Sequence, residues 1–445
     1  MSTRIAVIGA WHNAFVTAAG LAELGHQVIL VHPEHKAWKD MPRLNIDEPG
    51  LNDLVRNMVL ADRLDFGTMR RDGQLDVALS EHHEDIRPWP HVIWLAVDTA
   101  LADDDSPLTA PLFNIIHRVH ETRETSQLLI VGSQVPVGFC REVNKAHPAL
   151  GLVCVPENYQ LGRALDVFRN PDRIVIGGFG EAQGEVSAIL RNISGFAERA
   201  VYCTWETAEM IKHATNAFLA TSISLANELA SVSAFVGADA QLVARAMKMD
   251  SRIGARAYVR PGLGFAGGTL PRDLRALQIA TDESPVHLPL INAVLKVNDN
   301  VVEYIADEIV AMGAEVACIM GYTYKADTDA LRRSPARELL RKIESHPAWC
   351  GHRHIVGYDP RMHHKTDAEL AEAGMAERHL RVGLDAVPEG KTVYVVITPL
   401  REFRAMPWKG RANSVVFDLC DGVDKKAVLA AGMSYKAIWQ PMEKP

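Results

Sequence analysis

The sequence predicts an α/β protein of two Rossmann-like, doubly wound domains joined by a long central helix. Three observations predict it. A strand–turn–helix–strand pattern fills residues 4–31, and a second strand–turn–helix pattern opens at residue 314. Between them, residues 207–229 keep apolar side chains at three- and four-residue steps, with no proline or glycine before Gly237. At 445 residues the chain exceeds what one core usually serves. The expected division is an N-terminal Rossmann-like, dinucleotide-binding domain over 1–200, a central helical domain over 201–300 and a C-terminal Rossmann-like domain over 301–445.

Residues 4–9 form a short apolar, β-branched run ending in Gly9; residues 13–24 carry helical spacing, and residues 25–31 read as a second buried strand. The fingerprint G-x-G-x-x-G falls here on Gly9, Trp11 and Ala14. Gly9 still permits the tight turn and Ala14 still permits close helix–strand packing. Trp11, however, puts an indole where a pyrophosphate needs bare backbone. The acid expected to bind ribose hydroxyls is replaced by His32. A plain alternative is that His32 and Trp11 pack together over a closed site.

A helix is expected over 52–61, and strands over 75–79, 91–97 and 127–131, the last running into a turn at 132–136. Another strand lies in the run 168–177. A second helical region covers 288–312. Further strands are expected at 314–321, 354–358 and 391–398, with 414–418 as the last. Ser334-Pro335 opens a helix, serine as cap and proline at its first position.

Composition excludes several classes. The formal charge of -8 argues against general nucleic-acid binding. No apolar run is read as long enough to span a bilayer, and Met1-Ser-Thr-Arg leads straight into a strand, so a cytoplasmic location without membrane contact is expected. Six cysteines lie scattered without C-x-x-C pairing and are expected to be reduced. The adjacent pairs His82-His83 and His363-His364 show no ligand spacing, so no metal is expected.

The densest signal lies at residues 262–273, Gly-Leu-Gly-Phe-Ala-Gly-Gly-Thr-Leu-Pro-Arg-Asp. Four glycines and a proline run into a helix with an acid in its first turn. Such a loop suits a reactive pocket better than a connector. This run resembles the active-site loop G-F-G-G-S-C-F-P-K-D of the UDP-glucose/GDP-mannose dehydrogenase family, with Thr269 where the family carries its nucleophilic cysteine. Other runs resemble the family in the same order: Glu48-Pro-Gly-Leu51, Pro156-Glu157, residues 168–177, the Lys212-x-x-x-Asn216 pair, Asp250-Ser-Arg252-Ile-Gly254, and the stretch 321–335.

That resemblance implies site residues. Lys212, Asn216, Asp273, Glu157 and Thr269 take the catalytic positions. Gly9, Trp11, His32, Thr99 and Arg332 take cofactor positions. Arg252, Tyr258, Arg260, Gly264, Phe265, Gly267 and Lys325 take positions that contact substrate. By spacing alone, Lys212 and Asn216 share one helix face that meets either solvent or a pocket; the resemblance favours the pocket. It also implies a sugar-nucleotide substrate, NAD as cofactor and a homodimer formed on the long helix. NADP, drawn to residues 32–36, and no cofactor at all are the alternatives.

The departures point to altered chemistry. A threonine hydroxyl ionises far less readily than a thiol and is hindered, so covalent capture of an aldehyde is not expected at Thr269. Gln134 stands where the family has a threonine, and Leu161 where it has an acid. The expected function is a nucleotide-sugar dehydrogenase-like enzyme on an NDP-hexose of the UDP-glucose type, with changed chemistry. The alternatives are a repurposed acid–base enzyme (epimerase, lyase or hydrolase) on a sugar nucleotide, or a non-catalytic binder.

Overall fold

The computed structural model describes the chain apart from residues 1, 35–47, 78–84, 88, 103, 105, 122–126, 283, 324–330, 332–333, 350–352, 361, 363–365, 367–369, 371–386, 388–389 and 409–412. Lys325, Arg332, His82-His83 and His363-His364 therefore lie outside the described residues. The chain divides into two compact units, Met1–Thr215 with Arg275–Pro285, and Asn216–Leu274 with Val286–Pro445.

The first unit is organised on a ten-stranded sheet. Its strands are β1 (Arg4–Ile8), β2 (Gln27–His32), β3 (Leu64–Met69), β4 (Leu75–Val77), β5 (Asp85–Arg87), β6 (Val92–Leu95), β9 (Leu128–Val131), β10 (Gly151–Cys154), β11 (Ile174–Gly178) and β12 (Ala200–Cys203). Two short strands, β7 (Ala100–Leu101) and β8 (Pro107–Leu108), form a separate ribbon. The middle of the sheet runs β3-β2-β1-β6-β9-β10, all parallel, which is the Rossmann order. Antiparallel β4 and β5 extend one edge; β11, antiparallel to β10, and β12 extend the other. The central strands are buried on both faces, which is why β6, β9 and β1 after its exposed Arg4 read as unbroken apolar runs.

The helix His12–Glu23 owes its close approach to small residues. Ala14, Ala18, Ala19 and Ala22 are buried, and a Cβ at Gly20 would fall 2.4 Å from the Phe168 ring.

The second unit carries a five-stranded, wholly parallel sheet, β14 (His354–Tyr358), β13 (Val316–Met320), β15 (Thr392–Val396), β16 (Val415–Asp418) and β17 (Ser434–Ala437), in that order. The sequence of pairing is 2-1-3-4-5, the other common doubly wound arrangement. Ser334 caps the helix Pro335–Ser345 by accepting from the Ala336 N–H, with Pro335 at its first position, as the sequence indicates.

Two sequence expectations need correction. Asp418 does not end the last strand; β17 follows it. Its run Ser-Tyr-Lys-Ala hides a lysine that is buried because Nζ pairs with Glu308 at 2.9 Å and donates to the Gln440 carbonyl at 2.9 Å. And one helix, Trp205–Val236, is long and apolar enough by length and composition to cross a membrane. Its polar groups are used within the fold. Glu209 accepts from the Gly138 and Cys140 N–H groups, His213 lies 2.9 Å from the Val135 carbonyl, and Ser224 donates to the Val294 carbonyl.

Candidate active site

In the first unit, the sequence-predicted residues lie beyond the carboxyl ends of the parallel strands, where doubly wound sheets hold ligands. Gly9 follows β1, Thr99 follows β6, Gln134 follows β9 and Glu157 follows β10. A Cβ on Gly9 would fall 2.5 Å from the Ala96 carbonyl oxygen and 2.6 Å from Ala14 Cβ, so only glycine fits this turn. Trp11 is the N-cap of the next helix, with no side-chain cap and no acid in the first turn, which suits an anion at that helix end. Trp11 is 61% exposed, so it does not pack with His32 over a closed site, the plain alternative considered from the sequence. His32 is instead buried, and its Nδ1 accepts from the Glu34 N–H at 3.1 Å, closing the turn after β2. The Thr99 hydroxyl donates to the Gln134 carbonyl at 2.5 Å, tying the ends of two neighbouring strands together.

Glu157 is the electrostatic centre of this unit. The residue as a whole is half-buried, but its Oε2 is shut off from solvent. Thr17 Oγ1 donates to Oε1 at 2.7 Å, and Tyr159 OH lies 3.2 Å from the same hydroxyl. The Trp94 indole N–H faces the carboxyl group without completing a hydrogen bond. Gly132 makes room, since a Cβ there would fall 2.4 Å from Trp94 Nε1 and 3.0 Å from Glu157 Oε1. Burial pushes the Glu157 carboxyl up to about 8, and the Thr17 hydrogen bond and the Lys212 charge only partly oppose it. Lys212 is half-buried and donates to Asn158 Oδ1 at 3.3 Å. A carboxyl group tuned close to neutrality beside an ammonium is the arrangement expected of a proton-transfer site.

In the second unit, Asn216 is buried and its Nδ2 donates to Asp273 Oδ2; Asp273 is fully buried. Asp273 sits in the first turn of the helix Leu270–Ile279, its N–H donating to the Thr269 carbonyl at 3.2 Å. Thr269 is exposed immediately before that helix. The glycine-rich loop is held by two asparagines that sequence reading missed. Asn298 accepts from the Phe265 N–H (2.7 Å) and donates to the Phe265 carbonyl (3.0 Å), while Asn227 accepts from the Gly262 N–H (3.0 Å). Gly264 has φ +87, and a Cβ on it would fall 2.4 Å from Asn298 Oδ1. Gly267 also has positive φ, and Phe265 is buried. A lone asparagine on an apolar helix face, as both are, is the signal that would have found them.

Of the remaining predicted residues, Arg252 is exposed and forms a two-pronged pair with Asp250 at 2.7 and 3.0 Å. Tyr258 is exposed, and Arg260 donates to the Cys420 carbonyl at 3.2 Å. Glu48, noted in the sequence only as part of a motif, proves to be a fastening point. Its carboxylate accepts from His12 Nε2 (2.8 Å), the Gly162 N–H (2.8 Å) and the Ala164 N–H (2.7 Å).

Two doubly wound sheets, one in Rossmann order with an intact first-glycine turn, define an α/β protein of the nucleotide-binding type. Comparison with known proteins sharpens the class. Residues 3–193, 206–300 and 318–425 match, in turn, the NAD binding domain, the central domain and the UDP binding domain of the UDP-glucose/GDP-mannose dehydrogenase family. A UDP-glucose 6-dehydrogenase of Rhizobium meliloti is 30% identical, over 98% of this chain and 100% of its own. One of Pseudomonas aeruginosa is also 30% identical, over 90% and 88%. Among solved structures, a UDP-glucose dehydrogenase from Pyrobaculum islandicum shares the fold at TM-score 0.81 and 24% identity, covering 99% of this chain and 98% of the other. The chain belongs to the UDP-glucose/GDP-mannose dehydrogenase family.

Proposed function

We propose that this protein is a nucleotide-sugar dehydrogenase acting on an NDP-hexose of the UDP-glucose type, and that it stops at the first oxidation, releasing an aldehyde. The observation that carries this reading is the contrast at the loop. The buried Asn216–Asp273 pair is kept, while an exposed threonine stands where the family has its thiol.

In this reading the ionised form of Glu157, whose share grows as pH rises toward about 8, takes the proton of the substrate's primary hydroxyl. Lys212 and Asn216, one turn apart on one helix, hold the charge that grows on the oxygen. NAD, when bound, accepts the hydride from the same carbon. Gly9 and the uncapped helix start at Trp11 fit its pyrophosphate, with His32, Thr99 and Arg332 as further cofactor positions. Arg252, Tyr258, Arg260, Gly264, Phe265, Gly267 and Lys325 are assigned to the sugar nucleotide. Because Thr269 does not capture the aldehyde, no thioester forms and the second oxidation has no covalent route. The proposed division stays 1–200, 201–300 and 301–445. A homodimer formed on the long helix is supported by its exposed Phe218, Val232, Phe235 and Val236.

A second reading is favoured by His32, whose Nδ1 is bound to Glu34 and which offers no carboxylate to a ribose. It is an acid–base enzyme on a sugar nucleotide that has given up hydride transfer. Calorimetric titration with NAD, NADP, UDP-sugars and GDP-sugars, together with absorbance at the reduced-nicotinamide band, decides. One reduced cofactor per sugar and a trappable aldehyde support the proposal. Sugar-nucleotide binding with no cofactor heat and no absorbance removes it in favour of the second reading. Two reduced cofactors per sugar would refute the single oxidation.

A further inference from the structure

Within the second unit, Trp439 stands in the turn that follows β17. It is buried, yet its backbone adopts φ +61, the left-handed region that a bulky side chain rarely enters. Contacts on both sides hold it there. The Gln440 N–H donates to the Ala437 carbonyl at 3.2 Å, closing the turn. Lys436 Nζ donates to the Gln440 carbonyl and pairs with Glu308 of the helix Pro289–Ala311, each at 2.9 Å. Tyr304 of that same helix stacks on the indole, with ring centres 4.1 Å apart and planes 14° from parallel. A backbone held in a disfavoured region persists only where its surroundings fix it this firmly.

The indole reaches Asn227 on the helix Trp205–Val236. Trp439 Nε1 donates to Asn227 Oδ1 at 3.2 Å, and the Gly262 N–H donates to the same oxygen at 3.0 Å. We propose that Trp439 is a positioning residue for the glycine-rich loop: its indole N–H fixes the Asn227 amide in the orientation that holds Gly262, and so sets the loop for the sugar nucleotide. The second half of that statement rests on the assignment of Gly264, Phe265 and Gly267 to the sugar nucleotide.

The buried Asn227 amide has two ways to face. With Oδ1 toward the loop it accepts from both donors, and Nδ2 donates to the Ile223 carbonyl at 3.3 Å. Turned over, it sets an NH₂ group against the Gly262 N–H and the buried indole N–H, leaving both without an acceptor. Take the indole N–H away and a single donor opposes the turn, with only the long bond to Ile223 beside it. The other end of the loop needs no such third party. Asn298 both accepts from the Phe265 N–H and donates to the Phe265 carbonyl, so its amide is keyed by the loop itself. Leu263 packs against the same hydrophobic cluster as Trp439, which joins loop and turn through one core.

The test compares Trp439→Phe, which keeps a ring for Tyr304 and deletes the N–H, with Trp408→Phe. Trp408 is a buried indole of the same unit whose Nε1 has no hydrogen-bond partner, so it controls for lost ring volume. Hydrogen–deuterium exchange of the full chain, read by mass spectrometry over residues 262–268, should rise about three- to tenfold in Trp439→Phe, the range of one lost hydrogen bond, and not in Trp408→Phe. Calorimetry should show UDP-glucose binding weakened by the same factor, with the NAD titration unchanged. In Asn227→Asp both oxygens accept whichever way the group faces, so adding Trp439→Phe should raise loop exchange by less than about twofold. Thermal melts check folding. If Trp439→Phe does not fold, Lys436→Met, which unties the turn from Glu308 and leaves the indole, must raise loop exchange in its place. Unchanged loop exchange in folded Trp439→Phe overturns the proposal, and so does an equal rise in Trp408→Phe or a full effect on the Asn227→Asp background. Exchange that behaves as expected in a chain giving no UDP-glucose heat upholds the hold of Trp439 on the loop and removes the proposed function instead.

Discussion

Replacing Glu157 by glutamine tests whether the carboxyl group is held neutral by burial. Its Oε2 is closed to solvent, and its titration is moved from the ordinary 4.5 up to about 8. The folded protein therefore keeps this proton to higher pH than the unfolded chain does. Stability is present in full below about pH 4.5 and is lost as pH rises toward about 8, where the folded state must ionise a buried group. At about 1.36 kcal/mol per pH unit the loss has an upper bound of about 5 kcal/mol. Because the residue is only half-buried, solvent reaches part of it, and about 2–3 kcal/mol is the expected figure. Glutamine keeps the shape and one acceptor for Thr17 but does not ionise. Urea unfolding of both proteins at pH 5, 6, 7, 8 and 9 should show the variant gaining on the parent by about 2–3 kcal/mol across that range, since other titrating groups cancel in the difference. A difference that stays flat within about 0.5 kcal/mol would mean that Glu157 ionises freely, and the role proposed for it would fall with it.

Three further outcomes are expected. Gly9→Ala forces a Cβ to 2.5 Å from a backbone oxygen that cannot step aside; a loss of about 3 kcal/mol in urea unfolding, together with loss of NAD heat in calorimetry, is expected. Glu48→Ala strands two backbone N–H groups and the His12 ring at once, and should cost about 3–5 kcal/mol in urea unfolding. Thr269→Cys places a thiol just before the helix Leu270–Ile279, where the helix start favours thiolate; reduced cofactor per sugar should rise from one to two, and a thiol-labelling titration should give a pKa below about 8.5.

Much of the architecture was legible because it follows from burial. A parallel strand has to be apolar wherever it is covered on both faces, and β6, β9 and β1 after Arg4 announce themselves for that reason. The long helix was legible because nothing in residues 205–236 breaks it. β17 was not, because the lysine that disguises it is neutralised by Glu308, a partner more than a hundred residues away. The candidate site divides in the same way. Asn216 and Asp273 could be proposed from motif position, and their hydrogen bond is found. Asn227 and Asn298, which hold the glycine-rich loop, stand out locally only as polar residues on apolar helix faces; what they bind exists only once the loop is folded against their helices. The same is true of Glu48, whose three partners lie 36, 114 and 116 residues away along the chain.

The sequence by itself determined the two strand–turn–helix openings, the unbroken helix, and the exchange of a thiol for a hydroxyl at residue 269, because each is a matter of local residue type and spacing. Only the tertiary structure decided that part of the Glu157 carboxyl loses its solvent, which pushes its titration up to about 8, and that Glu48 gathers the His12 ring and two distant backbone N–H groups. Desolvation and convergence depend on what the rest of the chain brings alongside a residue, and no short window of sequence contains that.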